Sequence, residues 1–109
     1  MAVEKSLMAG SLSMLLLQLL SEKDMYGYEI IETLEKRSNN VFSMKAGTLY
    51  PLLHSLESKG FLKSYESEVL GKVRKYYKIT KQGKKELEQK KENWNEFTGA
   101  VSKVMCMEG

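Results

Sequence analysis

Apolar positions along the chain mark four helical segments and one pair of short strands. The clearest pattern lies within 45–60, where Leu49, Leu52, Leu53 and Leu56 fall at i, i+3, i+4 and i+7. That is the spacing of one buried stripe on a helix. At about 100° per residue, Gly47, Pro51, His54, Ser55 and Ser58 then point outward, with Thr48 and Tyr50 on the flanks. Upstream, 26–38 carries a shorter helical pattern with Ile30, Ile31 and Leu34 inward, closed by the polar Ser38, Asn39 and Asn40. Downstream, 61–67 and 73–79 read as two strands separated by a polar break around Gly71 and Lys72. The second strand alternates Lys75, Tyr77 and Ile79 with Arg74, Tyr76 and Lys78. Near the start of the chain, Leu12, Met14, Leu15, Leu16, Leu17, Leu19 and Leu20 make a helix that is apolar on more than one side. Thr80 can cap a last helix running from Lys81 to about Val104.

The outward face of the 45–60 helix carries small, hydroxylated and aromatic groups where a solvated face would carry Glu and Lys. Such a surface suits contact with another molecule, and a basic hairpin follows it directly. Helix, turn, helix and hairpin in that order define a winged helix-turn-helix. The expected fold is therefore mainly α with a small β-hairpin. Residues 1–80 form a DNA-binding unit and residues 81–109 a long C-terminal dimerisation helix, the two making one compact body.

Composition narrows the function classes. With 109 residues and 42% hydrophobic content, one domain is expected. Its longest apolar run is too short and interrupted to span a bilayer. The N-terminus lacks a charged segment and a cleavage site, so a cytoplasmic location and no membrane partner are expected. Cys106 stands alone, which excludes an internal disulfide and a cysteine-based zinc cluster. A single histidine, no phosphate-binding glycine loop and no clustered carboxylates leave nothing for catalysis, so neither an enzyme nor a cofactor is expected. Net charge is only +3, from 17 basic and 14 acidic residues, but the charge is unevenly spread. Seven Lys or Arg residues and no acid lie between Lys72 and Lys85. A local basic wing supplies the phosphate contacts that dominate affinity for DNA.

The last helix argues for a homodimer. Leu87, Trp94 and Val101 recur every seven residues, with Phe97 and Val104 at the complementary position. Lys90 occupies a place where another apolar residue was due. An isolated helix of this kind exposes a large apolar edge. The interface is expected to include Leu12 and Leu16 of the first helix with Leu87, Trp94, Phe97, Val101 and Val104 of the last. A two-fold axis would set two recognition helices into successive major grooves, so the preferred site is an inverted repeat.

The strings Tyr26-Gly-Tyr-Glu-Ile30, Gly47-Thr-Leu-Tyr-Pro51, Leu56-Glu57 before Gly60, and Arg74-Lys-Tyr-Tyr-Lys-Ile-Thr80 followed by Gly83 resemble the signature of the PadR family of bacterial transcriptional regulators. The short tail resembles the compact branch of that family, which ends in a single long helix. The resemblance implies a winged helix-turn-helix dimer, usually a repressor on a palindromic operator, in some members released by small aromatic compounds. In the groove, Lys45, Thr48, Tyr50, Pro51 and His54 are the expected contacts, with Gly47 allowing close approach. Lys72, Arg74 and Lys75 belong to the wing, and Tyr28 resembles the family tyrosine near the DNA backbone. Trp94 would face its mate across a cavity lined by Leu7, Gly10, Ser13 and Leu17 with Glu86, Leu87 and Lys90. Three alternatives stay open: Trp94 as plain dimer core, a regulator without a ligand, and a winged helix that binds protein. The start of the 45–60 helix is also open, because Pro51 is harmless only if Thr48 is the cap.

Overall fold

The computed structural model describes residues 5–106, and side chains from residue 11 onward. Four helices and three strands follow one another as α1 (Lys5–Glu22), β1 (Met25–Tyr26), α2 (Gly27–Arg37), α3 (Ala46–Ser58), β2 (Leu62–Val69), β3 (Lys72–Ile79) and α4 (Lys81–Met105). The sheet is antiparallel in the order β1-β3-β2. Pairing of β2 with β3 runs from Leu62 opposite Ile79 to Val69 opposite Lys72, a hairpin closed by two residues and longer than the sequence pattern suggests. Those two residues, Leu70 and Gly71, have φ of 53° and 79°, so polarity alone misplaced the ends of the strands. The strand β1 is absent from the sequence reading. Two residues, Met25 opposite Tyr77 and Tyr26 opposite Tyr76, are too few to show a period.

The core gathers Leu16, Leu17, Leu19 and Leu20 of α1, Ile30 and Leu34 of α2, Leu49, Leu53 and Leu56 of α3, and Leu62, Tyr77, Ile79 and Leu87 around them. Three of the four leucines expected on the buried stripe of α3 are fully buried, and Leu52 is partly so. At about 1.5–3 kcal/mol per buried large apolar side chain, this stripe fixes which face of α3 remains for solvent. Helix α1 lies in the middle of the protomer, which explains its lack of a polar side. Leu12, Met14 and Leu15 complete its packing from the edge of the core.

The start of α3 is settled by its backbone. Lys45 is extended and helical geometry begins at Ala46, with the amides of Thr48 and Leu49 both donating to the Lys45 carbonyl. Pro51 therefore sits inside the helix, in its second turn. It leaves the Gly47 carbonyl without its usual amide four residues on.

One junction joins α3, the hairpin and α4. The Phe61 amide donates to the Leu56 carbonyl, and the Thr80 amide donates to the Phe61 carbonyl, each at 3.0 Å. The Thr80 hydroxyl donates to the Gly60 carbonyl at 2.6 Å and accepts from the Gly83 amide at 3.0 Å, capping α4 as expected. Gly83 has to be glycine. An added β-carbon would lie 2.2 Å from the Phe61 carbonyl oxygen and 2.8 Å from Ile79 Cγ1. At the other end of the helical layer, Arg37 clamps Glu22 through both carboxylate oxygens, tying α2 to α1. The Arg37 guanidinium, helped by the Gln18 amide, lowers the Glu22 carboxyl to a pKa of about 2.

Gly83→Ala is expected to cost about 2–3 kcal/mol of stability, because the clash is with backbone that cannot step aside. Urea unfolding measures this, and an unchanged midpoint would show that the junction is looser than the geometry states.

Candidate nucleic-acid interface

Packing of Leu49, Leu53 and Leu56 inward leaves Gly47, Thr48, Pro51, His54, Ser55 and Ser58 exposed on α3, with Lys45 exposed just before it. An added β-carbon at Gly47 would meet nothing within 4 Å, so this part of the helix is open to close approach. Alongside it runs a groove lined by Tyr26, Gly27, Tyr28, Tyr50, Lys72, Arg74 and Lys75. The first turn of α2, the flank of α3 and the basic strand β3 thus meet around one concave surface. Tyr28 is exposed at its rim.

Tyr50 has a position that the helical count could not specify. Its ring turns from α3 onto α2, where an added β-carbon on Gly27 would lie 2.2 Å from the Tyr50 hydroxyl oxygen and 2.7 Å from Cζ. Gly27 is therefore the seat for Tyr50, and the two helices of the helix-turn-helix are locked there. A glycine between two tyrosines gives no sign in the sequence of the ring that will lie upon it. Tyr50 ends half-buried, with less surface free for a ligand than Thr48, Pro51 or His54.

Two of the four cations of β3 lie over aromatic rings, Lys75 at 5.7 Å from the centre of the Tyr77 ring. The Arg74 guanidinium lies 4.3 Å from the centre of the Tyr26 ring. That ring meets Tyr76 edge-on at 5.6 Å, and Tyr76 stacks on Tyr65 at 5.8 Å. The Tyr65 hydroxyl donates to Asp24 at 2.5 Å, and this bond, before burial, raises the phenol's pKa above its ordinary value. A guanidinium lying on an aromatic ring keeps its in-plane N–H donors for a partner, and none is taken by a described residue. Tyr26, Tyr65 and Tyr76 are functional supports that the sequence reading missed, since a tyrosine on a strand gives no sign of what it stacks upon. Beneath α3, Tyr77 is wholly buried and its hydroxyl has no hydrogen-bond partner among the described residues. Burial, ahead of the nearby Glu57, pushes that phenol's pKa upward.

A second group of expected residues is divided by the fold. Trp94, Phe97, Val101 and Val104 are exposed along α4, and Trp94 lies against Phe97 with ring centres 6.4 Å apart. Phe97, Ala100, Val101, Val104 and Met105 line a shallow apolar groove. By contrast Leu16, Leu17 and Leu87, expected at an interface or a ligand cavity, are 0%, 0% and 3% exposed within the single chain. They belong to the protomer's own core and have no surface to give a partner. A seven-residue recurrence marks an apolar face without telling which neighbour covers it. Leu12 and Ser13 are half-buried on α1, while Leu7 and Gly10 lie outside the residues whose side chains are described. Glu86 and Lys90 form an ion pair at 3.5 Å, so the lysine found at an apolar position of the repeat is matched within its own helix.

Gly27→Ala is expected to drive Tyr50 off its seat, costing about 1–3 kcal/mol of stability and weakening any binding that depends on the α2–α3 angle. Thermal unfolding of G27A beside the double variant G27A/Y50L checks this, with stability regained in the double variant. Equal stability of wild type and G27A would remove the assigned role.

Comparison with known proteins agrees with this architecture. The family model described as the transcriptional regulator PadR-like family matches residues 16–89. A protein of Lysinibacillus sphaericus is 38% identical over 108 residues, covering 98% of this chain and 97% of that one. The solved structure of a transcriptional regulator from Clostridium thermocellum superposes with a TM-score of 0.84 at 35% identity, covering 91% of this chain and 97% of its own. A PadR family transcriptional regulator from Eggerthella lenta gives 0.81 at 35% identity, covering 92% and 86%.

Proposed function

Since the chain belongs to the PadR-like family of transcriptional regulators and therefore acts by binding DNA, we propose that it works as a homodimer, reads an inverted repeat and represses transcription in the cytoplasm. The observation that carries this reading is the common groove of Tyr28, Tyr50, Lys72, Arg74 and Lys75 beside the exposed face of α3. Thr48, His54 and Lys45 offer hydrogen bonds to base edges or phosphates, and the carbons of Thr48 and Pro51 pack on thymine methyls. Lys72, Arg74 and Lys75 neutralise phosphates beside the half-site. Tyr28 stands where it meets the backbone. A bound dimer covering a promoter excludes polymerase, which is why repression is the default outcome.

The exposed apolar edge of α4 supports the dimer. Trp94, Phe97, Val101 and Val104 leave water together when two α4 helices pack. An effector is proposed at Trp94, a flat aromatic compound that slides between the protomers and changes the separation of the two α3 helices. Both half-sites must be engaged for tight binding, so a displacement of a few ångströms suffices. A second reading, regulation by protein concentration without a ligand, draws support from the burial of Leu17 and Leu87 in the core, which removes two walls of the expected cavity.

Fluorescence anisotropy on a duplex from the gene's own upstream region, against a scrambled duplex, tests the DNA reading. Binding to the native duplex should weaken steeply with salt. The double variant K72A/R74A removes two cations from each of the two wings and should reduce the logarithmic salt slope by about 4 while keeping preference for the native duplex. A variant slope equal to that of wild type would take the wing off the DNA. For the dimer, F97E/V101E should sediment as a monomer with an unchanged far-UV spectrum. A variant that stays dimeric would place the interface elsewhere.

A further inference from the structure

The tip of the hairpin is built against its own stability. A two-residue turn with positive φ at both positions favours Asn-Gly, because a branched apolar side chain gains nothing from the left-handed region. This chain has Leu70 there at φ 53°, followed by Gly71 at 79°. Leu70 is 99% exposed, and its neighbours Val69 and Val73 are exposed as well. Nothing among the described residues rewards the leucine. Asparagine would relieve both the backbone and the exposed isobutyl group.

The surroundings of the tip name its occupant. Lys72, Arg74 and Lys75 lead from it directly into the groove beside α3, so the apolar tip is continuous with the proposed DNA surface. Pairing with β1 ends at Tyr76, so the outer edge of β3 from Lys75 to the tip is open, projecting roughly 15 Å beyond the last β1 pair. The carboxylates near the tip, Glu66 and Glu68, lie on β2 opposite Lys75 and Val73, while every charged residue of β3 is a cation. A polyanion therefore approaches along the β3 edge, and the leucine meets what lies beyond its phosphates. In DNA that is the minor groove, where apolar side chains act as wedges between base steps and kink the duplex.

We propose that Leu70 is a wedge that enters the minor groove flanking each half-site, so that the protein bends its operator and selects deformable flanking steps that no polar side chain touches. This rests on the DNA-binding reading above. The selectivity follows from deformation, since pyrimidine–purine steps unstack more easily than others.

The test uses full-length protein and duplexes enriched by the wild type from a randomised pool, end-labelled for energy transfer. Wild type should bend its enriched duplexes, and these should carry TA or CA steps beside the half-sites. Leu70→Asn should melt at the wild-type temperature or above. It should still select the same half-sites through α3, but bind about tenfold more weakly, with less bending and no flank preference. K72A, in contrast, should lower the logarithmic salt slope by about 2 for the dimer and keep the flank preference. A Leu70→Asn protein that matches wild type in affinity and bend overturns the wedge alone. Failure of wild type to enrich any duplex overturns the DNA reading and the wedge with it.

Discussion

The hydrogen bonds around Thr80 are the constraint on which the rest of this protein depends. Through one residue, the end of α3, the first residue of the hairpin, the last residue of β3 and the first turn of α4 are held together. Gly60 adopts φ 83° to let the chain leave α3, and Gln82 of α4 comes within 3.1 Å of where its β-carbon would be. Gly83 brings α4 against the Phe61 carbonyl. Around this junction α4 is hydrogen-bonded to the turn that leaves α3, so no compliant loop separates the two. In the proposed dimer, a change in how two α4 helices pack would pass to α3 as a rigid rotation, which a regulator with two coupled half-sites requires.

Electrostatics at the site works through placement. A net charge of +3 gives weak steering overall. Cations on β3 that lack ion-pair partners among the described residues, two of them lying over tyrosine rings, give a strong local field beside α3. Acids are engaged elsewhere: Glu22 with Arg37, Glu29 with Lys23, and Glu86 with Lys90. Ion pairs on this surface contribute little to stability. They leave Lys72, Arg74 and Lys75 without an ion pair among the described residues, with Glu66 of β2 standing opposite Lys75.

How much of this was legible follows from the range of each interaction. The face of α3 could be read because Leu49, Leu53 and Leu56 obey a local period, and so could the Thr80 cap, which is set by residues three apart. The strand β1 could not, since Met25 and Tyr26 are strand only because Tyr77 and Tyr76 lie beside them. The same holds for Gly27 and Gly83, whose need for hydrogen in place of a side chain comes from Tyr50 and Phe61. Leu16, Leu17 and Leu87 show the converse error. Leu87 belongs to a real seven-residue recurrence and Leu16 and Leu17 to a helix apolar on more than one side, yet the chain's own core buries all three. The proposed association falls to the outer half of α4, where Trp94, Phe97, Val101 and Val104 repeat and stay exposed among the described residues.

The central claim is that paired α4 helices set two α3 helices one turn of DNA apart. The most direct measurement is the distance between spin labels placed at Ser58, on the exposed C-terminal end of α3, by pulsed electron resonance, with the exposed Cys106 replaced by serine. On an inverted-repeat duplex the account predicts one narrow distribution, consistent with recognition helices about 34 Å apart. Absence of a dipolar signal, or a distribution equally broad with and without that duplex, would contradict it.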